Sequence, residues 1–381
     1  MKPFTMLFLP LVLTLSGCAT NPVTGESELH LVPEQQEIEM GREQYPYQIQ
    51  MAGGDYALLP ELSDYVNRVG QKIARVSDRP GLPYEFTVVN DGTWNAWALP
   101  GGKIAINRGL LQALETESQL AAVLAHEIVH AAARHSAKQM ERGLGMQAVL
   151  AGLTLAVEED LQNTVQQTGA IAVGFTQLKY SRDAEREADQ YGIRYMIKAG
   201  YDPQGAVELQ QLFADNQESA GGWLSSHPAS IERVRNLRDQ LESGGNVNGY
   251  VGASEYRVRT RQLSEWENVY ATYEKGVEAL RNNDPKTALE RSMEARNALP
   301  EEALFYGLSA QAYEQLDNPE AALQAWSQAI QRNPDWFLFR LKRGMLHEKL
   351  GHRQQAANDY AASKDLLPTE AAQKGLARVT K

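Results

Sequence analysis

A 34-residue period runs through the last third of this chain and leaves it little choice of fold there. Pro300, Pro334 and Pro368 are spaced by 34, and so are Ala288, Ala322 and Ala356. Gly276, Ala310 and Gly344 keep the same spacing, as do Ala295, Ala329 and Ser363. Small residues at fixed positions let paired helices pack closely, and a proline ends the second helix of each pair. One such pair cannot bury its apolar face alone, so successive pairs stack into an α-solenoid. Three repeats are expected, at about 269–302, 303–336 and 337–370, with Thr369 to Val379 as a capping helix.

The chemistry sits upstream, in His126-Glu127-Ile128-Val129-His130. Residues four apart share a helix face, so both imidazoles can reach one ion, and Glu127 is placed to take a proton from water beside it. Thr116 and Gln119 fit a capping box at the helix start. Leu120, Val123, Leu124 and Ile128 then follow at helical spacing. A catalytic zinc usually takes three protein ligands. Cys18, the single cysteine, is far away. A second helical stretch, ending near Gly200, contains Ser181-Arg182-Asp183-Ala184-Glu185-Arg186-Glu187-Ala188-Asp189. Glu185 and Asp189 share a face and Glu187 points away from it, so a carboxylate on that face can complete the site while Asp189 orients a histidine from behind.

H-E-x-x-H followed by S-R-x-x-E-x-x-A-D resembles the zinc endopeptidase family that includes the CAAX prenyl proteases and the mitochondrial Oma-type proteases. The resemblance implies a mostly helical, gluzincin-like zincin domain with a small β-sheet. It also implies one Zn2+ per chain, with Glu185 as third ligand beside His126 and His130. Asn95 to Ile104 with Gly109-Leu110-Leu111 resembles the family's strand-and-turn segment, and Ser226-His227-Pro228 with Arg233 its H-P-x-x-x-x-R segment. Tyr84 to Val89 and Lys103 to Ile106 read as strands around the Pro-Gly-Gly turn. An edge strand beside the zinc would accept an extended substrate, with Asn95 and Trp97 as substrate-binding residues. Ordinary turn chemistry and core packing are the alternative for both. His227 either polarises the substrate carbonyl or closes the zinc as a fourth ligand at rest. His135, nine residues after His126, is expected on the opposite helix face and outside the site. His30, His347 and His352 have no ligand partners in sequence.

The repeats are similar to tetratricopeptide repeats. Tyr313 and Trp326 fit the middle repeat, whereas Ala279 and His347 replace the usual aromatic in its neighbours. Such arrays bind peptides or partner proteins; a purely structural role is the alternative.

At the N-terminus, Lys2 and the apolar run Phe4 to Leu15 precede Leu15-Ser16-Gly17-Cys18. The run is too short to span a bilayer and reads as a cleaved signal. The sequence before Cys18 resembles a bacterial lipobox, which implies lipidation of Cys18. Ala19 after it implies sorting to the inner leaflet of a Gram-negative outer membrane. An ordinary secretory signal is the alternative. A net charge of −11 argues against nucleic-acid partners. The division expected is 1–17 signal peptide, 18–255 protease domain and 256–381 repeat domain, with Glu242 to Gly249 as loop or linker. The apolar segment Gly143 to Val157 is a lid, a bilayer-touching surface or a buried core helix.

Protease, lipobox and repeats together resemble the periplasmic, β-barrel assembly-enhancing type of the family. That resemblance implies quality control of misfolded outer-membrane β-barrel proteins. The implied partners are unfolded or misassembled outer-membrane proteins and, through the repeats, the β-barrel assembly machinery. A chaperone or assembly scaffold with a mostly closed protease site is the rival function.

Overall fold

A computed structural model describes residues 18–139, 141, 180–227, 231–244 and 247–381. The signal segment 1–17 and the apolar stretch 143–157 lie outside the described residues. Two short strands, β1 (Cys18–Thr20) and β2 (Ser27–Leu29), pair antiparallel before helix α1 (Glu34–Met51). Then come α2 (Pro60–Ala74), β3 (Glu85–Val89), β4 (Ala96–Leu99), β5 (Lys103–Asn107), α3 (Arg108–Ala113) and α4 (Glu117–Ala132).

The sheet order is β3-β5-β4, with β3 parallel and β4 antiparallel to β5, so β4 is an outer strand. Period-two alternation splits β4 between two cores. Ala96 and Ala98 join the main core around α4, while Trp97 and Leu99 pack with Tyr45 and Ile49 of α1. The turn from β4 to β5 uses Gly101 and Gly102 at φ +72° and +81°, a region that L side chains avoid.

Helix α4 is the centre of the domain. Thr116 Oγ1 accepts from Gln119 N at 3.1 Å, and Gln119 Oε1 accepts from the N–H of Glu115 rather than that of Thr116, at 2.8 Å. All sixteen residues of the helix are buried, against α2, β4, α5 (Arg182–Lys198) and α6 (Gln204–Asp215). Gly192 lets α5 come close: a Cβ there would stand 3.5 Å from His126 N. Two further helices, α7 (Gly221–Ser226) and α8 (Ile231–Gly244), follow. Helix α8 takes in Glu242 and Ser243, so the stretch read as a loop starts helical.

After α9 (Ala253–Glu265) the repeats appear as helix pairs. They are α10 (Glu267–Arg281) with α11 (Pro285–Ala298), α12 (Ala303–Gln315) with α13 (Pro319–Arg332), and α14 (Phe337–Lys349) with α15 (Arg353–Leu366). Helix α16 (Glu370–Val379) closes the array. The second helices start at 285, 319 and 353, which is the period of the sequence. Ala288, Ala322 and Ala356 are fully buried where paired helices cross.

The array is not hung on a free linker. Tyr256, Leu263, Tyr270, Leu299 and Phe305 belong to the same core as α4. A buried polar seam adds to it: Asn90 donates to Glu302 at 3.2 Å, Tyr270 OH donates to Glu302 at 2.7 Å, and Arg108 lies 3.4 Å over the Tyr270 ring. Farther along, Trp336 Nε1 donates to Gln50 O at 2.9 Å.

Candidate metal centre and active site

His126 and His130, one turn apart on α4, point their Nε2 atoms at each other, 3.0 Å apart. Glu185, in the first turn of α5, brings its carboxylate to 3.6 Å from His126 Nε2 and 3.5 Å from His130 Nε2. Serine 181 caps that helix by accepting from Ala184 N, which fixes where α5 begins. His227, just past α7, places Nδ1 3.3 Å from His126 Nε2 and 2.9 Å from Glu185 Oε1. Donors about 2.0–2.1 Å from a tetrahedral ion are about 3.3–3.4 Å from one another, so these spacings suit one four-coordinate ion.

Glu127 supports the same fit from another side. It is fully buried, and neither carboxylate oxygen has a hydrogen-bond partner. His227 Nε2 lies 3.5 Å from its Oε1. Burying such a group unpaired is costly, so this carboxylate is placed for a species that arrives with function. The potential ligand atoms of His126, Glu127, His130 and His227 lie within 4.8 Å of one another. Glu185 suits coordination better than Glu127, because its oxygens approach all three imidazoles.

Electrostatics separate the groups in the metal-free protein. Burial pushes the Glu127 carboxyl up despite the nearby His227 and His126. Burial drives His130 well below its usual value, toward the neutral form that can bind metal. Burial also lowers His126, but the Asp189 and Glu185 carboxylates outweigh it and hold this imidazole at about 9. Burial raises Glu185, and His227, His126 and His130 more than reverse it, keeping the carboxyl well below its normal range.

Behind the donor set, Asp189 Oδ1 is 3.2 Å from His126 Nδ1. Arg233 grips Asp189 with two bonds of 2.7 Å and sits 2.8 Å from Glu185 Oε2. Aromatic rings close the site. Tyr180 stacks on His130 at 3.8 Å and Trp223 stacks on His227 at 4.2 Å. Trp223 N also donates to Trp94 O at 2.8 Å, which ties α7 to the segment entering β4.

Two expectations are corrected. Trp97 does not reach the cluster, because strand alternation turns its indole to α1, where it meets Tyr45 edge-on at 5.9 Å. Asn95 is near the strand edge with a buried, unpartnered Oδ1. His135 does join the site. The extrapolation to an opposite helix face fails because α4 ends at Ala132 and Arg134 turns left-handed at φ +60°. That reversal brings His135 Nδ1 to 2.7 Å from His130 Nδ1 and its Nε2 to 3.1 Å from Glu187. No glycine or asparagine marks the turn in sequence. Tyr180 and Trp223 also border the donors, and nothing local in the sequence distinguishes them from core aromatics.

The fold and this geometry agree with comparisons to known proteins. Residues 60–241 match Peptidase family M48. Mitochondrial metalloendopeptidase OMA1 of Schizosaccharomyces pombe is 35% identical over 182 residues, covering 46% of this chain and 52% of that protein. The beta-barrel assembly-enhancing protease of Escherichia coli is 28% identical over 233 residues, covering 58% of this chain and 47% of that protein. Metalloprotease YcaL of Escherichia coli is 29% identical over 184 residues, covering 47% and 72%. The chain thus spans about half the length of the first two relatives. The H-E-x-x-H helix, the carboxylates of α5, His227 and Arg233 all fall inside the matched stretch, and residues 60–241 therefore form a peptidase family M48 domain.

Proposed function

We propose that this chain is a zinc-dependent endopeptidase holding one Zn2+ through His126, His130 and Glu185. The observation that carries this reading is the convergence of those three donors beside a buried, unpartnered Glu127. Zinc bound there would lower the pKa of a water toward neutrality and polarise the scissile carbonyl. Glu127 takes the proton of the attacking water and returns it to the leaving amine; a carboxyl raised by burial is suited to both transfers. Asp189 orients His126 from behind. At rest His227, whose Nδ1 lies beside His126 Nε2 and Glu185 Oε1, would serve as a fourth protein donor and would leave no place for water. Turnover then requires His227 to swing away, with Trp223 stacked on it moving too.

An extended substrate adds to the outer side of β4, past Asn95. The unit 18–255 carries the reaction and the helix pairs of 256–381 hold client proteins. Lipidation of Cys18 tethers both to the periplasmic face of an outer membrane, and the clients are misassembled outer-membrane β-barrel proteins. The words beta-barrel assembly-enhancing protease in the names of two relatives support the choice of client. Among the described residues no helix is long and apolar enough to cross a membrane.

Glu127→Gln tests the chemistry. The variant is expected to fold, to retain zinc, and to lose cleavage of unfolded protein by about 10²–10⁴-fold. Full cleavage by it would refute the assignment. The closed donor set also favours a second reading, a chaperone or assembly scaffold whose protease is mostly idle. If Glu127→Gln still restores outer-membrane integrity to a strain lacking the protein, client binding is the main activity.

A further inference from the structure

Helix α5 carries three carboxylates at alternate positions, Glu185, Glu187 and Asp189, and the mechanism uses only two. Glu185 enters the donor set and Asp189 backs His126, whereas Glu187, two residues from each, pairs with His135. His135 is itself buried and meets His130 at the ring nitrogen turned away from the donor set.

We propose that His135 and Glu187 form a positioning relay that fixes His130 in one tautomer and one ring orientation for metal. The inference rests on the zinc reading above. Its logic is a count of protons. Two imidazole nitrogens 2.7 Å apart can bond only if one carries hydrogen. His130 must keep Nε2 bare to donate a lone pair, so its hydrogen sits on Nδ1 and is given to His135 Nδ1. His135 then carries its own hydrogen on Nε2, 3.1 Å from Glu187 Oε2, which accepts it. The reverse order protonates His130 Nε2, blocks the ligand atom and turns a bare His135 nitrogen toward a carboxylate. Glu187 therefore selects the register that His130 needs.

The turn that delivers His135 is held from several sides. Arg134 donates to Glu37 at 2.9 Å and to Val32 O at 2.6 Å, and Arg79 donates to Ala131 O at 3.3 Å. His126 reaches a carboxylate directly, and His130 reaches one through an intervening imidazole, so each histidine of the motif has a fixed tautomer.

The test measures zinc affinity of the full chain by competition with a chromophoric chelator at fixed neutral pH. His135→Ala is expected to weaken binding by about 10–100-fold. His135→Asn, whose Oδ1 can still accept from His130, is expected to recover most of that loss. Glu187→Ala is expected to cost several-fold and Glu187→Gln less, both without lowering the Tm of the metal-free protein. Imidazole 15N spectra of the zinc-loaded chain should place hydrogen on Nδ1 of His130 and Nε2 of His135. The relay is overturned if the parent binds one zinc and His135→Ala matches it within about twofold. It is equally overturned if His135→Asn loses as much affinity as His135→Ala while the metal-free Tm falls alongside, which is a packing role. A parent chain that binds no zinc overturns the metal assignment and the relay with it, and that outcome is distinct from the others.

Discussion

Glu37→Gln is the sharpest test of how this fold holds its site, because the change is nearly isosteric and removes one buried charge. Glu37 has no exposed surface and accepts from Arg134 Nε at 2.9 Å and from Arg79 Nη1 and Nη2 at 3.1 and 3.3 Å. Breaking a buried pair by neutralising one partner costs about 3–5 kcal/mol, since the other charge stays buried and uncompensated. Here two guanidiniums lose their common partner, but Arg79 keeps Glu34 at 3.1 Å and Arg134 keeps Glu141 at 3.4 Å. The low end of the range, about 3 kcal/mol, is therefore expected, or about two decades in the unfolding constant. Urea unfolding of the metal-free protein reads it. Glu255→Gln, which breaks an exposed pair with Arg259 one turn away, is the control and should cost under about 0.5 kcal/mol. Because Arg134 carries the turn into His135, zinc affinity should fall as well. A loss below about 1 kcal/mol, close to the control, would refute the claim that this cluster holds the turn.

Gly192→Ala should be tolerated and can add up to about 1 kcal/mol, because its Cβ would make ordinary contact and glycine is a poor interior helix residue. Gly192→Leu should instead push α5 off α4, costing about 1–3 kcal/mol in denaturation and weakening zinc binding as Glu185 retreats. Glu348 is held at about 2 by its forked bond with Arg378, aided by Tyr360 against a small burial effect. Its folded value lies below the unfolded one, so the contribution is present above the usual carboxylate range and is lost as pH falls through about 2. In Arg378→Ala the Glu348 carboxyl carbon should titrate near 4.5 by 13C NMR; a midpoint still near 2 would contradict this cause.

What the sequence reveals follows the range of each interaction. The H-E-x-x-H pair and the 34-residue period are local or repeated, so spacing alone places His126, His130 and the buried Ala288, Ala322 and Ala356. The Glu185–Asp189 face is also legible, although only the fold shows which carboxylate meets both imidazoles. Helical spacing misplaces His135 because the helix ends at Ala132, and the residue that breaks it, Arg134, adopts a left-handed conformation for tertiary reasons. Glu37 and Val32 O, about a hundred residues away, hold that conformation, and no short window contains them. Trp97 is the opposite case. Its alternation with Ala96 and Ala98 was available in sequence, but which face of the strand meets α4 was not.

The seam between repeats and protease bears on how the closed site could be read from a distance. Glu302 stands before the first turn of α12 and accepts from Leu304 N as its cap. The same carboxylate accepts from Asn90, at the end of the loop that begins after β3 and continues to Trp94. Trp94 O in turn receives the N–H of Trp223, whose ring lies on His227. A repeat helix, the entry to the outer strand and the ring covering His227 are thus joined through three short polar links and one stack. Contiguity of this kind does not establish coupling; the physical requirement is a two-state element that both ends bias. Under the function proposed above, His227 is the candidate for that element, since its Nδ1 lies 3.3 Å from His126 Nε2 and 2.9 Å from Glu185 Oε1. Asn90→Ala leaves Glu302 its bonds to Tyr270 and Leu304 while removing the link to the loop. If the seam holds the site closed, this variant should cleave unfolded protein faster than the parent with zinc affinity unchanged. An unchanged rate would confine the seam to holding the two parts together.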